Sequence, residues 1–243
     1  MLKIEKFVTA SPEQWEIIIE GMRNPKNSWD RMDSLFFDDT KGHLCTLDQY
    51  VGKATFIDIG PNDHKLMDAL NEGGPVHAKY RRMIPVWVTI TAPLYWWKEF
   101  DTYKVGTVCN SCSTMHKIHA KKFTLEDFSC EKLMNLTTQD IPYHSNVMLV
   151  FDYRNVMRNT IDALNNAREY YLETKDKRYW EQMIQLLPTS YNQKRTILLN
   201  YEVLVNIYTW RKNHKLDEWH TFCNWIEELP YSELITGRVE EDE

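Results

Sequence analysis

The sequence predicts an α+β chain, with a strand-bearing front (1–120), a mostly helical rear (121–235) and an acidic tail (236–243). Three observations carry this. Short segments of alternating or β-branched character fill the front, longer segments of helical periodicity fill the rear, and no repeat, low-complexity stretch or linker separates them. A single domain is therefore expected. With 243 residues, 43% of them apolar and 26% charged, the chain is long enough to bury a sizeable core.

Element by element, Leu2 to Val8 alternates like an edge or half-buried strand. Ser11-Pro12-Glu13-Gln14 then opens a helix, with Ser11 as N-cap and Pro12 in the first turn. Residues 24–53 are rich in turn formers and aspartates. Ala54 to Ile59 reads as a short strand closed by Gly60-Pro61, and Asp63 to Asn71 as a short helix stopped by Gly73-Gly74-Pro75. Ile84 to Thr91 is a strand by its β-branched content, with Pro85 at an edge or end, and it feeds a helix opened by Pro93. After a capping-box-like start at Thr124–Asp127, helices are expected over Asn146–Thr174, Arg178–Leu187, Arg195–His214 and Leu216–Leu229.

Charge and composition remove several function classes. Against 29 basic side chains stand 35 acidic ones, a net charge of -6, so duplex nucleic acid is not an expected partner. No apolar run approaches the roughly 20 residues of a membrane span, and the start lacks a signal-peptide core. A cytoplasmic address is expected. Five scattered cysteines suit a reducing compartment better than a disulfide framework.

The segment Ala92–His116 carries most of the functional information. An apolar helix bearing Leu94, Tyr95, Trp96, Trp97 and Phe100 runs into a loop of small polar residues, Thr107, Asn110, Ser111, Ser113 and Thr114. Such a loop offers hydroxyls and amides to a phosphate or planar ring. This order of residues resembles the signature region of flavin-dependent thymidylate synthases, where an Ala-Pro helix leads to R-H-R-x-x-S-x-N-E-x-S-x-R-Y. The pattern falls on Thr102, Tyr103, Lys104, Thr107, Cys109, Asn110, Cys112, Thr114 and Met115; none is identical, but Lys104 keeps a positive charge and Thr107 a hydroxyl. The likeness extends from His77, at the family's first histidine, through Arg82-Met83 in place of Glu-His, to Leu187-Pro188, Trp210-Arg211 and Leu216–Trp219. Arg211 is the best-preserved functional position, whereas Ile184 stands where the family has an arginine near the nucleotide phosphate.

The resemblance implies a thymidylate synthase-like fold, a small antiparallel or mixed sheet with a helical C-terminal half, in a homotetramer with sites shared between subunits. It implies a dUMP-like pyrimidine nucleotide at Arg211, Lys104, Asn110, Ser111, Cys112 and Ser113. FAD is implied at His77, Lys98, Tyr103 and Thr107, with NADPH and methylenetetrahydrofolate as co-substrates of an active synthase. Arginine forks grip phosphates better than neutral residues do, so the lost guanidiniums weaken that grip unless Arg81, Arg82, Lys98, Lys104, Arg195 or Lys212 compensates. Three outcomes follow: an active synthase, an enzyme on another nucleotide, or a catalytically silent nucleotide-binding or interaction protein.

Other readings of the same residues stand beside these. Cys109-x-x-Cys112 with His116 and His119 has the ligand types of a zinc site, but only three residues separate Cys112 from His116 and no second cysteine cluster exists, so no metal is assigned. A redox pair, a nucleophilic Cys112 at the family's second serine position, and small residues beneath a turn are the alternatives. Asn110 is a base or ribose contact or a turn cap; Arg211 is a ligand contact or a surface residue paired with Asp217 or Glu218. His77 is equally a structural histidine, and the Tyr95–Phe100 aromatics are core or subunit interface. No Ser-His-Asp or glycine-rich phosphate motif is present, and no catalytic residue is assigned.

Overall fold

The computed structural model describes residues 1–38, 42–46, 54–134 and 152–237. It is α+β, with small sheets in front and helices filling the C-terminal half. In chain order the elements are β1 (Lys3–Val8), α1 (Pro12–Arg23), β2 (Leu35–Asp38), β3 (His43–Cys45), β4 (Ala54–Asp58), α2 (Pro61–Glu72), β5 (Pro85–Pro93), α3 (Leu94–Phe100) and β6 (Val108–Ser111). There follow α4 (Tyr153–Thr174), α5 (Lys177–Leu186), β7 (Asn192–Asn200), α6 (Tyr201–Arg211), α7 (Asp217–Glu227) and α8 (Glu233–Thr236). One sheet has the order β1-β5-β7-β6; the other, β3-β2-β4, is antiparallel with Phe36 opposite Ile57 and a register shift after Phe37. No described helix is long and apolar enough to cross a membrane.

The expected opening is present, including its cap. Gln14 N–H donates to Ser11 Oγ at 3.3 Å, and Ser11 N–H to Gln14 Oε1 at 2.9 Å. Two differences from the sequence reading concern the sheets. The aspartate-rich stretch expected to be turns contains β2 and β3, because Leu35-Phe36-Phe37 is an apolar run that buries Phe36 against its partner strands. The helix expected from Arg195 starts only at Tyr201: Asn192–Asn200 is β7, with Gln193, Ile197 and Leu199 buried at period two. Ile-Leu-Leu satisfies either period, and Asn200 decides where the helix begins, its Oδ1 accepting from Val203 N–H at 3.1 Å.

The contacts divide the chain into two compact units. Unit 2 comprises Ile4–Thr89, Tyr103–Cys109 and Thr196–Glu243. Trp15, Ile19, Met67, Tyr201, Trp219 and Phe222 are fully buried there. Buried among them is an ion pair: Arg23 Nε donates to Asp63 Oδ1 at 2.5 Å, and Asp63 Oδ2 accepts from Asp33 N–H, Ser34 N–H and Ser34 Oγ at 3.0, 3.0 and 2.7 Å. Asp33 in turn caps α2 from outside, accepting from Asn62 and Asp63 N–H at 2.9 and 3.0 Å. That explains Gly60 at the N-cap, since a Cβ there would lie 2.3 Å from Asp33 Oδ1.

Unit 1 comprises Met1–Lys3, Ile90–Thr102 and Asn110–Arg195. Pro93 both closes β5 in extended conformation and is the N-cap of α3, whose first helical amides donate to Tyr191 O and Thr189 O, both at 3.0 Å. Trp96, Trp97 and Phe100 are core, at 0%, 0% and 2% exposure. A second cluster joins Ile118, Phe123, Phe128, Ile161, Leu164 and Met183 beneath α4 and α5. Within it Asn165 exchanges both amide bonds, each 2.9 Å, with the backbone of Phe123. Asp152 caps α4; the predicted start of that helix, residues 146–151, and most of the acidic tail, 238–243, lie outside the described residues.

Candidate functional site

In unit 2 the last turn of α6 presents Arg211 to two aromatic rings. Its Nε donates to the Tyr103 hydroxyl at 2.8 Å, while the guanidinium carbon stands 4.7 Å from the Trp219 ring centre and 5.6 Å from that of Tyr103. Tyr103 and Trp219 meet edge to face at 6.2 Å, and His214 approaches Trp219 at 6.3 Å. A planar cation on an aromatic face keeps a fixed orientation, which a lysine ammonium would not.

From Tyr103 the chain turns back toward the first turn of α6. Gly106 has φ 78°, and a Cβ there would meet Val203 Cγ2 at 3.1 Å and Asn200 Nδ2 at 3.2 Å, so the close approach and the left-handed turn both require glycine. Beside it, the Thr107 hydroxyl is a buried oxygen without a hydrogen-bond partner. Arg81, buried in the 3-10 turn Lys79–Arg82, pairs with Glu202 of the same α6 turn at 2.9 Å, and its Nε is likewise buried and unpartnered. Of the sequence-predicted residues, Arg211 and Tyr103 are thus brought into contact at the end of α6, and Thr107 follows the glycine that packs on its first turn.

Asn110, Ser111, Cys112 and Ser113 belong to unit 1 and are exposed. The segment expected to be all loop contains β6, which removes the turn-cap reading of Asn110. Cys112 N–H donates to Lys194 O at 2.9 Å, and Gln193 Nε2 donates to Cys112 O at 2.8 Å. Arg195 supports Gln193, donating to its Oε1 at 2.8 Å while stacking 4.3 Å from the Trp97 ring centre and pairing with Asp101 at 2.7 Å. Cys109 lies in β6 and Cys112 just past its end, and both are exposed free thiols. Among the described residues no three His, Cys, Asp or Glu side chains gather so as to hold a metal ion. His119 lies against the Tyr171 ring at 4.9 Å.

The remaining predicted positions are dispersed. His77 is exposed in unit 2 beside Gly73, whose Cβ would meet its ring at 3.1 Å. Lys98 is exposed on α3 of unit 1. Among the candidate compensators, Arg82 donates to Pro75 O at 2.7 Å and Lys212 stands 5.5 Å from the Tyr208 ring centre. Trp219 was not singled out as a site residue by the sequence, although an aromatic eight positions beyond an arginine, across a helix–helix turn, was the available signal.

No family model matches this sequence, and no curated protein matches it. Solved structures do. A crystal structure of thymidylate synthase X (ThyX) from Helicobacter pylori with FAD and dUMP is similar over 97% of this chain and 95% of that one, at TM-score 0.56 and 16% identity. A second crystal structure of flavin-dependent thymidylate synthase ThyX from H. pylori, complexed with FAD and dUMP, matches over 97% and 96% at TM-score 0.56 and 15% identity. This chain has a ThyX-like fold. At such identity the likeness is one of architecture, and the ligands belong to the H. pylori protein.

Proposed function

We propose that this ThyX-like chain binds a pyrimidine nucleotide of the dUMP kind, with Arg211 as its principal contact and Tyr103, Lys104 and Thr107 beside it. One observation carries the reading: the arginine that the family resemblance places against the base is anchored by the Tyr103 hydroxyl and the Trp219 ring, which orient its guanidinium for a planar, electron-rich partner. The unpartnered Thr107 hydroxyl, next to the Gly106 turn that packs on the first turn of α6, supplies a polar group for a ligand to satisfy. Asn110, Ser111, Cys112 and Ser113, being exposed, are proposed as further polar contacts in a homo-oligomer, with a tetramer as the expected size.

Flavin fits these residues less well. Of the four positions assigned to FAD, Tyr103 already accepts from Arg211, and the pattern's outer guanidinium positions are Thr102 and Thr114, which leaves the lysines Lys98 and Lys104 as point charges for a pyrophosphate. The reading is therefore a nucleotide-binding protein first, with His77 and the lysines holding FAD weakly. NADPH oxidation and one-carbon transfer from methylenetetrahydrofolate are proposed only for flavin-loaded protein. A cytoplasmic location, with reduced thiols, is part of the same proposal.

Thermal shift tests it. With dUMP at a hundred times its Kd, linkage gives about 2.7 kcal/mol of stabilisation, a rise in Tm of about 5–10 °C for a chain of this size. A flat response across pyrimidine and purine nucleotides sinks the proposal. A parallel absorbance spectrum after FAD reconstitution separates a flavoprotein from a flavin-free nucleotide binder.

A further inference from the structure

Side chains fasten the C-terminal segment of unit 2 to its neighbours. Tyr201 donates its hydroxyl to Pro230 O. Tyr231, with φ 53°, donates its hydroxyl to Ile57 O at 2.7 Å and accepts from Ile59 N–H at 3.1 Å. The third fastening is His64 of α2: Nε2 lies 3.1 Å from Glu233 Oε1 on α8, and Nδ1 lies 3.0 Å from Asp68 Oδ2 one helical turn along α2. These contacts keep Leu234 and Ile235 buried, at 1% and 5% exposure.

The ring nitrogens of His64 both face carboxylates, which only accept. A neutral imidazole has one donor and one acceptor, so one of the two contacts would then set lone pair against lone pair; the imidazolium alone donates at both. The surroundings sharpen this. A cavity of about 970 Å³ beside His64 is lined by Asp68 and Glu72 from α2, Glu227 and Glu228 from the end of α7, and Tyr231 and Glu233 from the C-terminal segment. Tyr80, from the 79–82 turn, and Tyr201, from α6, are the other titratable groups that feel Glu233, and burial pushes both phenols well above their usual range. No lysine or arginine appears among the described residues lining that cavity, so the imidazolium is its counter-charge.

We propose that His64 is a proton-operated clasp: doubly protonated it holds α8 against α2, and on losing one proton it releases the C-terminal segment and uncovers Leu234 and Ile235. The direction follows from linkage. Burial lowers the imidazole's pKa, but the bond to Glu233 and the charges of Asp68 and Glu233 outweigh it, and the net shift is upward from 6.5. A group whose folded pKa is raised contributes its stabilisation fully below the unfolded value and loses it as pH rises through the folded one. The clasp is closed in mildly acidic solution and opens as pH rises through the raised His64 midpoint. Toward pH ~4 the carboxylates themselves protonate, which bounds the window from below.

Amide hydrogen exchange on the full chain between pH 5.5 and 8.5, corrected for intrinsic rates and run beside an NMR titration of the His64 ring, tests this. The reporting amides are Leu234, Ile235, Thr236 and Gly237, which donate to Tyr231 O, Ser232 O, Ser232 O and Glu233 O at 3.1, 2.8, 2.8 and 2.8 Å. Their protection should fall above the His64 midpoint with a slope of at most about tenfold per pH unit, the limit for one linked proton, while α4 amides stay level. His64→Gln should show low protection at every pH with no step. Glu233→Gln, which keeps the shape of the contact, should move the His64 midpoint down and the step with it. Protection that stays flat through the wild-type His64 titration, a pH step unchanged in His64→Gln, or a step that ignores the shifted midpoint in Glu233→Gln would each overturn the clasp.

Discussion

Replacing Arg211 with lysine retains the positive charge and removes everything else the structure gives that side chain. The planar group that stacks 4.7 Å from the Trp219 ring centre is gone, and so is the Nε–H that donates to Tyr103 at 2.8 Å. The stacking is worth about 0.5–2 kcal/mol in orienting the cation, and a charge-assisted bond to a ligand about 1.5–3 kcal/mol. A loss of about 2–3 kcal/mol in nucleotide binding is expected, which corresponds to a Kd roughly 30- to 150-fold higher. Tyr103→Phe is the finer probe, because it deletes one acceptor and leaves the ring in place; about 1 kcal/mol, or a fivefold weaker Kd, is expected from the loss of a single hydrogen bond. Calorimetric titration with dUMP on the wild type and both variants, with melting curves to show that each is folded, gives the three numbers. An Arg211→Lys protein that is folded and binds within twofold of wild type would refute the assignment of Arg211 as a planar contact.

Three other expectations concern stability. Asp63→Asn leaves the Arg23 guanidinium buried without its counter-charge and should lower unfolding free energy by about 3–5 kcal/mol; a urea-melt change below about 1 kcal/mol would show that the pair carries little. Asn165→Leu strands the buried N–H and C=O of Phe123, at a cost of about 2–4 kcal/mol in the same assay, and a neutral result would mean that water replaces the side chain. Gly106→Ala forces an L-residue to φ 78° and sets its Cβ against Val203 and the capping Asn200, so a loss of about 1–3 kcal/mol is expected together with weaker nucleotide binding. Unchanged stability in that variant would show that the 103–107 turn relaxes freely.

What the sequence revealed and what it hid follow one physical division. Local chemistry was legible: the Ser11–Gln14 box, the strand before Pro93 and the apolar α3 all depend on residues a few positions apart. β7 was misread because Thr-Ile-Leu-Leu is compatible with either period and only the tertiary setting chooses. The cap that Asp33 places on α2 reaches across 29 and 30 positions, and the seat of Arg211 on Tyr103 across 108, so neither leaves a pattern in a short window.

The same division bears on how the architecture can match where the signature pattern does not. Of the nine positions on which the family pattern falls, Thr102, Lys104, Cys109, Asn110, Cys112 and Met115 are exposed, and exposed side chains contribute little to folding free energy. Trp96, Trp97 and Phe100 just ahead of them are fully buried, where truncating one would cost about 3–5 kcal/mol. Folding free energy therefore constrains the aromatic helix far more than the exposed loop, so a ThyX-like architecture is compatible with different residues in that loop. Arg211 is informative because it is the exception. It lies half-buried against the Tyr103 and Trp219 rings, and the Arg211→Lys titration decides whether that seat serves a ligand or the fold.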